Sequence, residues 1–318
     1  MLRIATRRSA LALAQATQVG RALEVDFELV PLTTTGDRQP QRAVESFDTK
    51  GVFVDAIREA VVTGDCDIAV HSSKDLPSGA VEGLVIGAYP RREDVRDALV
   101  TRDGSVLGTL PAMATVGTSS ARRRLQLLRV RPDVQVLPIR GNIDTRLRKV
   151  DDGEFDAIVI AVAGMRRLYT PVELGGVGPL GLPLHAALLE PGECLPAPGQ
   201  GALAVECRSD DHATLDLLDR LDHADTRTAV RAERAFQQLL GGGCLTPIGA
   251  LATVANGRVE LAGMLADPVQ RRVVRQTASG TVDVVETVAA DLAARIRELG
   301  GDAMLERIAS RSSAAHGA

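Results

Sequence analysis

Tryptophan is absent from this 318-residue chain, and aromatic residues make up only 2% of it. Proteins that bind single-stranded nucleic acid commonly stack bases on aromatic side chains, so the composition disfavours that class. The formal net charge of −4 gives no general attraction to nucleic acid or to anionic membranes. No apolar run is long enough to span a bilayer. We therefore expect neither nucleic acid nor a membrane as a partner.

Nucleotide-binding signatures are missing as well. The sequence has no G-x-x-x-x-G-K-[ST] loop and no G-x-G-x-x-G following a strand. Cysteine is scarce. The four cysteines form no C-x-x-C pair, and the five histidines are scattered along the chain. This spacing predicts no bound metal.

The cysteines differ in their surroundings. Cys66 and Cys207 flank apolar strand patterns and are expected to be reduced packing residues. Cys244 instead follows three glycines in "LGGGCLTPIG". A thiol on such an open turn suggests a nucleophile or a covalent tether.

The first residues superficially resemble a secretory signal, because arginines precede an apolar run. That run covers only residues 10–14 before Gln15 interrupts it, whereas a signal needs about 7–15 apolar residues. A strand, "LRIAT", followed by a helix capped by Ser9 fits the segment better. The prediction is a cytoplasmic protein.

Strand-like and helix-like segments alternate over the first two thirds of the chain, and the pattern restarts near Arg96. Such alternation predicts two α/β lobes with largely parallel sheets. The stretch "LEPGECLPAPGQG" is expected to return the chain from the second lobe to the first. The polar segment between Gly36 and Gly51 is predicted to be a long loop.

After the strand "ALAVECR" the pattern predicts one long helical segment, the glycine turn, three strands and a final helix, which together form a small α+β domain. The predicted division is a first lobe of 1–95 plus about 196–219, a second lobe of 96–195, and a third domain of 220–318.

Four strand-to-helix junctions hold the unusual residues: "ATRRS", "AVHSSKD", "VGTSSARRR" and "IRGNIDTR". In a parallel sheet such junctions lie at the carboxyl edge, where open α/β sheets bind ligands. Hydroxyl residues and glycines there expose helix N-terminal N–H groups, and arginines can fork onto carboxylates or phosphates. The pattern indicates an anion-binding cleft.

Arginine outnumbers lysine by 34 to three. A genomic bias accounts for the number of arginines but not for their positions. Between Thr118 and Lys149 nine residues are basic and only two are acidic, in a chain that is acidic overall. Several separate clusters suit a ligand that carries several carboxylates.

Asp75 is the exception among these cations. Neighbouring positive charges would keep it ionised, so that it could stabilise a transient cation or pass a proton. The alternative interpretation is an ion-pair partner for Lys74.

The motifs "LRIATRRSALALAQA", "DIAVHSSKDLP", "RREDVRDALV", "VGTSSARRR", "IRGNIDTRL", "DAIVIAVAGMRRL", "LPAPGQGALAVECR" and "GGGCLTPIG" occur in this order from residue 2 to about 250. In this they resemble the porphobilinogen deaminase (hydroxymethylbilane synthase) family. The resemblance implies two lobes like those of periplasmic binding proteins, plus a small α+β C-terminal domain. It also implies a transferase of tetrapyrrole biosynthesis, commonly monomeric, whose substrate is porphobilinogen.

In that family four porphobilinogen molecules are condensed head to tail with loss of ammonia, and a linear hydroxymethylbilane is then hydrolysed off. The chain grows on a dipyrromethane cofactor held by a thioether. The resemblance assigns the thioether to Cys244 and the catalytic carboxylate to Asp75. It assigns the binding of cofactor or substrate carboxylates to these positions: Arg7, Ser9, Ser72, Lys74, Thr118, Ser119, Ser120, Arg122, Arg123, Arg140, Gly141, Arg146, Arg167 and Gln200.

Two other classes remain open from the residues alone. A solute receptor would also have two lobes around an anion-lined cleft, but it has no use for Cys244 or Asp75. A nucleic-acid-binding module would use the arginine cluster, but the acidic total and the missing aromatics disfavour it.

Overall fold

The first sheet is built from five strands in the order β2-β1-β3-β10-β4. The computed structural model describes residues 1–33, 54–77, 79, 81–169, 181–242 and 246–316. The strands of this sheet are β1 (Leu2–Arg7), β2 (Phe27–Leu32), β3 (Ile68–Ser72), β4 (Leu84–Ala88) and β10 (Leu203–Arg208). The strand after the Pro/Gly-rich stretch therefore returns to the first sheet.

The second sheet has the order β7-β6-β8-β5-β9. Its strands are β5 (Asp97–Thr101), β6 (Thr115–Gly117), β7 (Gln135–Leu137), β8 (Ala157–Ala161) and β9 (His185–Leu189). The sequence pattern did not predict β9, which is short, apolar after His185 and close to glycines and prolines. The predicted α/β class with two lobes is confirmed.

The prediction of largely parallel sheets is wrong in part. In the first sheet β1 pairs parallel with β2 and β3, but β10 pairs antiparallel with β3 and β4. In the second sheet β6 pairs parallel with β7 and β8, while β5 runs antiparallel to β8 and β9. The strands β5 and β10 are the two that enter a sheet from the other lobe, so each runs against its neighbours.

Five helices follow strands of the two lobes within the described ranges. They are α1 (Ala10–Ala22), α2 (Asp55–Val62), α3 (Ala121–Val130), α4 (Ile143–Asp151) and α5 (Val162–Leu168). Ser9 caps α1 as predicted, because its hydroxyl accepts from the Ala12 N–H. Ser120 and Asn142 cap α3 and α4 in the same way.

The long helical segment predicted after β10 is two helices, α6 (His212–Asp219) and α7 (Ala224–Leu239). His223 separates them, since its side chain caps α7 by accepting from the Thr226 N–H. Leu218 of α6 packs into the core of the first lobe, and Phe236 of α7 into that of the third domain.

The third domain is a three-stranded antiparallel sheet covered by helices, as predicted. It comprises β11 (Ile248–Ala255), β12 (Arg258–Asp267), β13 (Arg272–Thr281), α8 (Val285–Ile296) and a further helix, α9 (Asp302–His316), that was not predicted. Gly300, at φ +94°, lies in the turn between the last two helices. The glycines of "RELGG" therefore mark a bend rather than the end of helical structure.

The third domain contacts both lobes. Leu125 of α3 packs with Met264 of β12, and Val230 of α7 packs with Tyr89 and Leu76 of the first lobe. Cys66 and Cys207 are buried and reduced, as predicted. The predicted loop between Gly36 and Gly51 lies outside the described residues.

Candidate active site

One pocket joins the ends of β1 and β3 with the first turns of α1. It has a volume of about 80 Å³ and is bordered by Arg7, Ser9, Ser72 and Asp75. All four were predicted as site residues from two motifs more than sixty positions apart. The two motifs meet in the structure because β1 and β3 are neighbouring parallel strands.

Gln15 also borders this pocket and was not predicted. It is buried, and its Nε2 donates to the Ser72 hydroxyl over 2.8 Å. A glutamine on the buried face of α1, at a position where an apolar residue is expected, was the available signal.

Asp75 lies on an exposed 3₁₀ turn, Ser73–Asp75, directly after β3. The turn is attached to the return strand, because the Ser73 N–H donates to the Ala202 carbonyl over 2.9 Å. The neighbouring ammonium of Lys74 lies 3.5 Å from Oε1 of Gln200. The pKa of Lys74 is lowered, chiefly by desolvation. The charge of Asp75 opposes that shift, and the charge of Arg123 adds to it.

Asp97, the first residue of β5, is the centre of a buried polar cluster and was not predicted as a site residue. Its Oδ1 accepts from Arg123 over 2.7 Å and from Gln200 over 2.8 Å. Its Oδ2 accepts from Arg122 over 2.9 Å and from the Cys194 thiol over 3.4 Å. The cluster therefore ties the strand that enters the second lobe to the segment that leaves it.

The cluster shifts the pKa values of both Asp97 and Cys194. Burial by itself raises the pKa of the Asp97 carboxyl, but the charges of Arg123 and Arg122 outweigh it and hold that pKa well below its usual range. Burial raises the pKa of the Cys194 thiol to about 12. Cys194 is therefore a neutral S–H donor rather than a reactive thiolate.

Arg122 and Arg123 are both buried and use most of their donors internally. Arg122 also donates to the Leu195 carbonyl, and Arg123 donates to the Val159 carbonyl over 3.0 Å. Nε of Arg123 is buried without a hydrogen-bond partner among the described residues. Contact of these arginines with substrate carboxylates stays a prediction, and the observed contacts give them a structural role as well.

The hydroxyls of "GTSS" shape the loop itself. Thr118 accepts from the Ser120 N–H, and Ser120 caps α3. The Ser119 hydroxyl donates to the Ile139 carbonyl over 2.7 Å, which joins this loop to the one before α4. The predicted ligand-binding hydroxyls thus also hold two adjacent junctions together.

Arg140, Gly141 and Arg146 surround the first turn of α4. Gly141 has φ +108°, and a Cβ there would lie 2.7 Å from that of Thr145. Its carbonyl accepts from Nε of Arg146 over 2.8 Å, and Arg140 is exposed. Desolvation, assisted by Arg123, lowers the pKa of Arg146.

Arg167, at the end of α5, donates to the Gly201 carbonyl over 2.7 Å. Burial lowers its pKa to about 10, and Nε is buried without a partner among the described residues. A guanidinium with an unused, desolvated N–H is suited to an anionic ligand.

Glu233 of α7 is a second buried carboxylate that was missed. Arg92 donates to both of its oxygens, over 2.7 and 2.9 Å. The N–H groups of Gly199 and Ala252 donate to them as well, over 2.7 and 2.8 Å. An acid on the apolar face of an amphipathic helix was the available signal.

Cys244, the predicted attachment point, lies outside the described residues. The chain is described up to Gly242, just beyond the end of α7, where the Gly242 N–H donates to the Gln237 carbonyl. No described group of three or more His, Cys, Asp or Glu side chains is placed to hold a metal ion. No helix within the described ranges is long and apolar enough to cross a membrane.

Known proteins match this chain over nearly all its length. The family model described as "Porphobilinogen deaminase, dipyromethane cofactor binding domain" matches residues 2–216, and "Porphobilinogen deaminase, C-terminal domain" matches residues 227–298. The porphobilinogen deaminase of Brevibacillus brevis is 46% identical, over 87% of this chain and 88% of that protein. That of Desulforudis audaxviator is 43% identical, over 96% of this chain and 97% of that protein.

Among solved structures, a periplasmic domain of Bordetella pertussis BvgS matches 69% of this chain and 86% of that one, with 17% identity and a TM-score of 0.36. The fold assignment rests on the strand order of this chain rather than on that likeness. The two family models and the identity to full-length relatives establish that the chain belongs to the porphobilinogen deaminase family of enzymes, with a dipyrromethane cofactor binding domain over its first two lobes.

Proposed function

We propose that this chain condenses four porphobilinogen molecules head to tail, with release of ammonia at each step, and then hydrolyses the product to linear hydroxymethylbilane. The observation that carries the proposal is the pocket in which Arg7, Ser9, Ser72 and Asp75 meet. It places one exposed carboxylate among cationic and hydroxyl groups, as this chemistry requires.

Each pyrrole ring bears an acetate and a propionate, so a growing chain needs many cationic partners. The buried Nε atoms of Arg123 and Arg167, which have no hydrogen-bond partner among the described residues, fit such carboxylates, and Lys74 adds an amino group beside Asp75. These residues, with Arg7, Arg140 and Arg146, would hold the dipyrromethane and the substrate. When bound through Cys244, the dipyrromethane supplies the pyrrole carbon at which new C–C bonds form.

Asp75 is the residue assigned to the reacting centre. When the C–N bond of porphobilinogen breaks and ammonia leaves, the remaining pyrrole carries a positive charge. A fixed carboxylate stabilises that charge and can accept the proton that the attacking ring carbon releases after the C–C bond forms.

The first test is the intact mass of the purified protein beside Cys244→Ser. We expect an excess equal to two porphobilinogen residues that Cys244→Ser lacks and that the control Cys66→Ser retains. A bare mass that persists after incubation with porphobilinogen would refute the tether and favour the solute-receptor alternative.

The second test measures ammonia release with porphobilinogen. Asp75→Asn should keep the cofactor mass but lower kcat by roughly 10²–10³-fold, the range typical of a lost electrostatic contact. An Asp75→Asn enzyme with wild-type kcat would remove Asp75 from the reaction.

We include in the proposal the domain division 1–95 plus 196–219, 96–195 and 220–318, a monomeric state and a cytoplasmic location. The sheet membership of β5 and β10 supports the division. The monomeric state rests on the family resemblance, the location stays the prediction made from the sequence, and neither nucleic acid nor a membrane enters the proposed reaction.

A further inference from the structure

Arg234 of α7 holds the turn that carries Asp75. Its Nη1 donates to the carbonyls of Ser73 over 3.2 Å and Leu76 over 3.1 Å, and its Nη2 donates to the Pro77 carbonyl over 2.6 Å. These three acceptors lie on both sides of Asp75 in the chain. One side chain from the third domain thus fixes the backbone before and after the proposed catalytic carboxylate.

Gly199 packs closely against the same turn. A Cβ at this position would lie 2.8 Å from the Ser73 hydroxyl and 3.2 Å from the backbone nitrogen of Lys74. Leu76 is buried in a cluster that includes Val230, one turn before Arg234 on α7. The backbone of the turn is therefore held, while the Asp75 side chain stays exposed.

The contacts of Arg234 suit a guanidinium in particular. No carboxylate forms an ion pair with it within the described ranges, and burial lowers its pKa. Its guanidinium donates to carbonyl dipoles of the turn, and Glu206 adds a more distant negative charge. A planar fork reaches several carbonyls at fixed angles, which a lysine ammonium or a neutral side chain does not.

We propose that Arg234 is a positioning residue that orients Asp75 toward the condensing pyrroles. It acts from α7, through the backbone carbonyls on either side of Asp75. This inference rests on the proposed function of Asp75 and extends it to a residue outside the pocket.

The test is the steady-state kinetics of Arg234→Gln. We expect kcat to fall about 10–100-fold, since a displacement near 1 Å of a reacting group costs up to about 10²-fold. The KM for porphobilinogen should stay within about twofold and the cofactor mass should be unchanged, because the carboxylate-binding arginines are not altered. Arg234→Lys, which keeps the charge and the stem but not the fork, should show a similar loss in kcat.

Arg227→Gln is the matched control. Arg227 lies on the same helix and donates to the carbonyls of Ile86 and Gly87 and to Asp222, none of which is in the pocket. We expect it to lower thermal stability and leave kcat unchanged. Equal losses of kcat in Arg227→Gln and Arg234→Gln would show a general structural effect and overturn the proposal.

Wild-type kcat in Arg234→Gln would also overturn it. If Arg234→Gln cannot be recovered folded, Arg234→Lys decides on the same criterion. A wild-type enzyme without cofactor mass and without turnover would instead refute the proposed function, so the two failures are distinguishable.

Discussion

Asp97 shows how much of this site depends on a residue that no ligand need touch. Its carboxylate is fully buried and accepts from two guanidinium groups, an amide and a thiol. Two cations around one anion leave one positive charge in excess. The buried anion thus fixes the positions of Arg122 and Arg123, whose contact with ligand carboxylates stays a prediction.

Asp97→Asn should destabilise the fold strongly, because two buried guanidinium groups lose their counter-charge. We expect the free energy of unfolding in urea to fall by about 3–5 kcal/mol, the range for breaking one partner of a buried ion pair. Asp133→Asn, which removes the exposed partner of Arg131, should leave the urea midpoint almost unchanged. Similar midpoints for the two variants would contradict the buried-cluster interpretation.

The lowered pKa of the Glu206 carboxyl predicts a change in stability at acidic pH. Although burial raises the pKa of its carboxyl, His71, whose Nε2 lies 3.2 Å from Oε2, and the two hydrogen bonds from Arg58 lower that pKa from 4.5 to about 2. A carboxyl whose folded pKa is lowered stabilises the fold fully above its unfolded pKa. That contribution, roughly 3 kcal/mol, is lost as pH falls from about 4.5 toward 2.

Urea unfolding of wild type and Glu206→Gln across pH 2–5 tests this. The free energy of unfolding of the variant should depend less steeply on pH in that window. Parallel curves for the two proteins would show that Glu206 does not titrate as described.

At the residue scale the sequence predicted which side chains border one pocket, but it did not predict the buried carboxylates that hold neighbouring segments in place. Arg7, Ser9, Ser72 and Asp75 meet in one pocket. Asp97 and Glu233 were missed because their partners are fixed only by tertiary contacts, such as that between Asp97 and Gln200, 103 positions apart. Sequence motifs indicate functional side chains near the surface, whereas the burial of a charged side chain depends on tertiary packing.

Among the elements, the turn "PGQG" packs closely against the segment that contains Glu93. Gly201 has φ +87°, and a Cβ there would lie 2.5 Å from the Glu93 carbonyl oxygen. Its own carbonyl accepts from Arg167, so the turn joins both lobes. Only glycine meets both requirements, the left-handed backbone and the close approach.

Gly201→Ala should therefore cost more stability than Gly83→Ala. Gly83 has φ +78° but nothing within 4 Å of its would-be Cβ, so only the backbone strain of about 1–2 kcal/mol applies there. We expect the melting temperature to fall at least twice as far in Gly201→Ala. Equal shifts would show that the contact with Glu93 relaxes without cost.

The sequence predicted where helices begin when a capping side chain was present. It did not predict the directions of strands, which depend on pairing between distant segments. Ser9 and Ser120 mark helix starts that the structure confirms. The strand directions of β5 and β10 were missed, because strand-like residues do not show from which end a strand enters its sheet. The helix break at His223 was missed because histidine is an uncommon cap.

For the whole molecule, Glu233 connects three parts. It receives Arg92 from the first lobe, Gly199 from the return segment and Ala252 from the third sheet. Loss of its charge leaves Arg92 buried and unpaired. This carboxylate therefore joins the third domain to the lobes, together with the apolar packing of Val230 and Met264.

Glu233→Gln should uncouple the third domain from the lobes. We expect calorimetry to resolve two unfolding transitions where Glu286→Gln, which breaks an exposed pair with Arg231, keeps the wild-type profile. A single transition in Glu233→Gln at the wild-type temperature would refute this role.

The position of β10 also governs the order in which a nascent chain can fold. This strand lies between β3 and β4, so the first sheet is incomplete until Arg208 has left the ribosome. All strands of the second sheet, which ends at Leu189, have been synthesised by then. At an elongation rate of about 5–20 residues per second, β4 waits on the order of ten seconds for its neighbour. The lobe that is translated first is the one that closes last, and until then β3 and β4 expose unpaired edges that are targets for chaperones.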